Sequence, residues 1–228
     1  MKKALIIDLD NTLYDYTAAD KVAFAKLVEA GAKELNVSKE LFIENYLKAR
    51  DTVQERHRRR ASSHNRMLYA QMTAELLGKS PMPVALTLYE AYWSAFFSSM
   101  TLFDGVEDAL TRLKEKGVKL AICTDMLARV QFQKIRALGI SKYFDAIVTS
   151  EEARAEKPSA VPVQMLLDKL EMRTRDVAFI GDGYERDVLG AKYSGLTPIW
   201  FKGDAEKAQN IMIVNSWKDE KLFEMFEK

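Results

Sequence analysis

The sequence predicts an α/β protein: a doubly wound, Rossmann-like parallel sheet core, interrupted after its first strand by an all-helical insertion. Three observations predict it. Short, non-alternating apolar runs recur along the chain, the pattern of strands buried on both faces. Helical stretches alternate with these runs over most of the length, as in a doubly wound sheet. One long stretch, from about residue 17 to residue 100, breaks the rhythm and offers no strand.

The first run, Ala4–Ile7, is rich in Ile and Leu and reads as the first strand. Similar runs follow at 118–123, 146–149, 177–180 and 197–201, with helices expected at 106–116, 128–138, 161–170 and 185–194. Gly117, Gly139 and Gly195 stand where those helices should end. In the interrupting stretch the periodicity predicts helices near 18–35, 38–60, 64–78 and 83–99. Val84, Leu88, Tyr92 and Phe96 recur every fourth residue and line one face of the last, a stripe that reads as bundle packing. The expected division is therefore a core of residues 1–16 with 101–228, and a helical domain of residues 17–100.

Bulk properties narrow the function. The 34 basic and 33 acidic side chains nearly cancel, so no global field favours nucleic acid or an anionic membrane. The run Arg56-His57-Arg58-Arg59-Arg60 is the one local exception. It reads as a solvated helix face with Glu55 paired to Arg59, and neither His57 nor His64 has metal-ligand company. One cysteine, Cys123, leaves no internal disulfide and fits a reducing compartment. The N-terminal apolar run is too short for a signal peptide, and no run approaches a membrane span. A cytoplasmic protein is expected, without nucleic-acid or membrane partners.

Four motifs carry chemistry. Asp8-Leu9-Asp10-Asn11-Thr12 directly follows the first strand, and open α/β sheets bind ligands outside the carboxyl ends of their strands. Spacing of two puts both aspartates on one side of an extended chain. Such close carboxylates repel unless a cation or shared proton intervenes. A metal would resolve that, with one carboxylate as nucleophile and the other as proton carrier. Thr124-Asp125 ends a second apolar run, where a hydroxyl can donate to a phosphate oxygen. A helix N-cap is the competing reading there. Lys157, followed by Pro158, offers a point charge to a phosphoryl group or to Asp8. Asp182, between Gly181 and Gly183, stands at another strand end, and Asp187 follows five residues later. These are hard oxygen ligands of the kind magnesium takes. Tyr14 and Tyr16 lead from the first motif into the helical stretch, where their position suits either lining a substrate entrance or packing at the hinge.

With these motifs in this order, the chain resembles the haloacid dehalogenase-like hydrolase superfamily. The connecting text matches too: Ala137-Leu138-Gly139-Ile140, Tyr143-Phe144-Asp145 and Ser150-Glu151-Glu152. The helical stretch matches in position and type the small cap of such enzymes. The resemblance implies a magnesium-dependent phosphatase acting on small phosphate monoesters through an aspartyl-phosphate. In it Asp8 is the nucleophile and Asp10 the acid/base. Magnesium is held by Asp8, the Asp10 carbonyl and Asp182, and Asp187 orients metal-bound water. Thr124 and Lys157 hold the transferring phosphate. Asp125 departs from the family, where many members have asparagine, and bears on the charge near the phosphate pocket. A dehalogenase generally lacks the second aspartate, so Asp10 and Thr12 argue against that activity. A phosphomutase would keep both aspartates, and a non-catalytic binding protein would be expected to have lost one of these positions.

Overall fold

A computed structural model describes residues 1–208 and 210–227. The chain divides into two compact units, Met1–Asp15 with the chain from Thr101 onward, and Tyr16–Met100. The break falls one residue before the one expected from sequence.

The first unit is a six-stranded, all-parallel sheet in the order β3-β2-β1-β4-β5-β6. Its strands are β1 (Ala4–Ile7), β2 (Lys119–Thr124), β3 (Ala146–Thr149), β4 (Val177–Gly181), β5 (Thr197–Phe201) and β6 (Met212–Val214). Every residue of β1 is inaccessible to solvent. Ala4 and Ile6 pack into one apolar cluster with Val163, Leu166 and Leu170. Leu5 and Ile7 point to the opposite face, so both faces are covered, which is why the run does not alternate. Strand β6 was not expected. It has three residues, two of them only half-buried, and so lacks a strand's usual length and pattern.

Helices α1 (Tyr16–Leu35), α2 (Lys39–Arg56), α3 (Arg66–Leu76) and α4 (Ala85–Ser99) make up the second unit. Val84, Leu88, Tyr92 and Phe96 are all buried, as the four-residue repeat predicts. The basic run behaves differently from expectation. Helix α2 stops at Arg56, and Arg59 takes a left-handed backbone with φ 60°. Helical spacing therefore never brings Glu55 to Arg59, although the arginines are exposed as expected.

In the first unit, helices α5 (Val106–Glu115), α6 (Ala128–Ala137), α7 (Ser150–Ala153), α8 (Ala160–Leu170), α9 (Gly190–Tyr193) and α10 (Lys221–Glu224) lie among the strands in sequence. Gly117 and Gly139 adopt φ near 72° just past α5 and α6, where other residues would be strained. The helix expected over 185–194 is in fact a π-helical turn, Tyr184–Leu189, followed by the short α9. Among the described residues no helix is long and apolar enough to cross a membrane.

Candidate active site

Strand β1 lies between β2 and β4, with Ile7 in register with Ile122 and Ile180. The chain leaves the sheet in opposite directions on either side of β1, and this switch point opens a crevice at the carboxyl ends. The three central strands deliver Asp8, Thr124 and Asp182 to it. These come from distant parts of the sequence and are brought together by strand register.

Asp8 is buried. One carboxylate oxygen accepts a hydrogen bond from the Lys157 ammonium, and the other accepts from the Thr12 hydroxyl at 3.2 Å. The same ammonium reaches Asp187 Oδ1 at 2.6 Å. Asp187 Oδ2 accepts from the Gly183 N–H at 2.8 Å. The π-helical turn makes this possible: the Asp187 and Val188 amides both bond the Gly183 carbonyl, which turns Asp187 inward. Gly181 is required by the same approach, since a Cβ there would lie 2.5 Å from Asp187 Cγ.

Oxygens of Asp8, Asp182 and Asp187 all lie within 4.8 Å of one another. Asp182 Oδ1 is buried and has no hydrogen-bond partner, a costly state for a carboxylate oxygen. Burial raises the Asp182 carboxyl above its usual range, and Asp187 adds to the rise. Asp8 is pushed up to about 8, by burial first and by the Asp187 and Asp182 charges, against the pull of Lys157. Three crowded carboxylates, one with an unsatisfied oxygen, form a donor set that fits a hard divalent cation. Lys157 alone does not offset them.

The surroundings of Asp10 went unread in the sequence. The Lys134 ammonium sits 2.7 Å from both Asp10 oxygens. The Tyr14 hydroxyl donates to Oδ1 at 2.5 Å, and Gln131 Nε2 lies 3.5 Å from Oδ2. Burial pushes the Asp10 carboxyl up, but Lys134, Tyr14 and Gln131 together outweigh it and hold the group below the usual carboxylate range. Tyr14 is wholly buried and belongs to the setting of Asp10. Lys134 and Gln131 carry no motif of their own. Their one sequence signal is a three-residue spacing that places both on one face of α6.

Thr124 does not cap a helix. Helix α6 starts four residues later, at Ala128, whose N–H is bonded by Glu151 at 2.8 Å instead. Thr124 accepts from Gln131 Nε2 at 2.5 Å. Asp125 is turned away from a direct role with the carboxylates: its Oδ1 accepts from the Lys157 N–H at 3.1 Å and so shapes the loop that presents the ammonium. Two indoles brace the loops from behind, Trp217 on the Thr12 carbonyl at 2.9 Å and Trp200 on the Asp182 carbonyl at 2.8 Å.

The helical unit has a cavity of its own, of about 280 Å³. Its lining includes Tyr16, Asp20, Arg50, His64, Arg66 and Tyr92. Arg66 donates to the Tyr16 hydroxyl at 2.5 Å and to Asp20 at 3.2 Å, and its guanidinium lies 4.3 Å from the Tyr92 ring centre.

A family model described as haloacid dehalogenase-like hydrolase matches residues 2–195. A ribulose-1,5-bisphosphate 5-phosphatase of Halopiger xanaduensis is 37% identical over 90% of this chain and 87% of its own length. A glyceraldehyde 3-phosphate phosphatase of Methanothermobacter thermautotrophicus is 28% identical over 92% of this chain and 89% of its own. Among solved structures, a phosphatase of Thermococcus onnurineus superposes with a TM-score of 0.73 at 21% identity, covering 99% of this chain and 97% of its own. A 2-haloacid dehalogenase of Pseudomonas syringae pv. Tomato gives 0.79, also at 21%, covering 99% and 98%. At that identity the two structures speak for the fold alone.

Proposed function

The chain belongs to the haloacid dehalogenase-like hydrolases and is a phosphatase of small phosphate monoesters; from that premise we propose that its substrate is a phosphorylated sugar, cleaved through a phosphoaspartate on Asp8 with magnesium bound. The observation that carries the assignment is the convergence of Asp8, Asp182 and Asp187 around a buried, unpartnered Asp182 oxygen.

In this reading Asp8 attacks phosphorus, forming the new P–O bond as the bond to the leaving oxygen breaks. The negative ester bound beside Asp10 raises its carboxyl from the low range of the free site, so that Asp10 carries a proton to that oxygen and takes one back from the water that hydrolyses the phosphoaspartate. Thr124 and Lys157 hold the equatorial oxygens as charge shifts among them. Asp8, the Asp10 carbonyl and Asp182 would hold magnesium, with Asp187 beside them; bound there, it would offset the crowded carboxylates and supply a Lewis acid for the phosphoryl group.

One fact supports a phosphorylated sugar: the 37% identical relative is a ribulose-bisphosphate phosphatase, and the match runs nearly end to end. The test is phosphate release from ribulose 1,5-bisphosphate, glyceraldehyde 3-phosphate, phosphoglycolate and p-nitrophenyl phosphate, with magnesium and with chelator. Release is expected with magnesium only and is abolished in Asp8→Asn; full activity in that variant sinks the covalent scheme. Products retaining all their phosphate would instead indicate a mutase.

A further inference from the structure

Helix α6 carries two polar side chains, Gln131 and Lys134, that are completely buried. Three residues apart, they share one face of the helix. Burying an ammonium is expensive even when it is paired, and an apolar residue of similar volume is often as stable or more so. Fold stability alone therefore gives little reason for a lysine here. Its position gives a better one. Lys134 Nζ bridges both oxygens of Asp10 at 2.7 Å each, which fixes the plane of the carboxylate. Gln131 links Thr124, at 2.5 Å, with the other edge of Asp10, at 3.5 Å. Its Oε1 is buried and unpartnered, a second local cost that packing does not explain.

We propose that Gln131 and Lys134 are positioning residues: they clamp the Asp10 carboxylate and tie its aim to Thr124, so that the acid/base faces the oxygen that leaves phosphorus. This rests on the reading of Asp10 as the acid/base. The clamp itself exchanges no proton; the one that moves passes from Asp10 to the leaving oxygen as the P–O bond breaks. Aim is what such a clamp controls, and an error of about 1 Å can cost a reaction roughly a hundredfold.

The test compares two esters at saturating magnesium by kcat/KM, which reports the first phosphoryl transfer. One is p-nitrophenyl phosphate, whose leaving group needs no proton. The other is a phosphorylated sugar, whose alkoxide does. Lys134→Met is expected to lose roughly a hundredfold on the sugar ester and no more than about threefold on the aryl ester. In an Asp10→Asn background it should cause no further loss on the sugar ester, because it acts through Asp10. Retained aryl phosphatase activity also shows that the variant is folded. Equal losses on both esters, or a loss that multiplies with that of Asp10→Asn, overturns the proposal. If Lys134→Met does not fold, Lys134→Gln must show the same selective loss, and an unselective loss there overturns it equally. Absence of release from both esters by the unaltered chain would be a separate result: it removes the phosphatase reading, and the clamp with it.

Discussion

Burial and the carboxylates of Asp187 and Asp182 raise Asp8 to about 8 from an ordinary 3.8, despite the Lys157 ammonium beside it. As the proposed nucleophile Asp8 must be ionised to attack, and its surroundings favour the protonated form. A bound cation reverses that preference. The consequence for stability has a definite sign. Between the two values the folded chain holds a proton that the unfolded chain has lost, so stability falls as pH rises through this window. In chelator the melting temperature is expected to drop from about pH 5 to about pH 8, with magnesium flattening the drop near its upper end. The same drop in Asp8→Asn would show that another group is responsible.

At the scale of elements, the π-helical turn at Tyr184–Leu189 and the bare Cα of Gly181 act together to admit Asp187. A methyl group at position 181 has no room unless Asp187 moves. Gly181→Ala should therefore weaken magnesium affinity by about tenfold or more, since outer supports of a metal site typically count for that much. Magnesium titration of phosphate release measures it, and an unchanged midpoint would mean that Asp187 plays no part in holding the ion. Helix α3 supplies the second case. Arg66 is held by Tyr16 and Asp20 and stacked on Tyr92 within the helical unit. Arg66→Met removes the cation beside Asp20 and is expected to lower the melting temperature. An unchanged melting temperature would mean that the pair does not stabilise the bundle.

Across the whole molecule, two compact units divide along the line where strand periodicity stops and helical periodicity begins. The core unit holds every proposed catalytic side chain, at the ends of β1, β2 and β4 or in the loops beyond them, with Lys157 supplied by the loop between α7 and α8. The helical unit holds a polar cavity within a bundle whose apolar stripe was plain in the repeat of Val84, Leu88, Tyr92 and Phe96.

The sequence by itself determined the strand–helix alternation, the interruption, and the aspartates, threonine and lysine of the four motifs. Those signals are local: apolar periodicity records which faces are buried, and each motif sits beside the strand end that presents it. Only the tertiary structure decided what surrounds Asp10. Lys134 lies 124 residues away along the chain, and nothing in its neighbourhood distinguishes it from the other lysines, most of which face water. Trp200 and Trp217 were silent for the same reason, since the carbonyls they brace belong to loops remote in sequence. For Tyr14, adjacency to the first motif does not say which way a side chain turns; packing turned it inward, onto Asp10. Which strands neighbour β1 is a non-local fact: the register of β2 and β4 against β1 brings three of the motifs together, and the loop between α7 and α8 adds Lys157 to them.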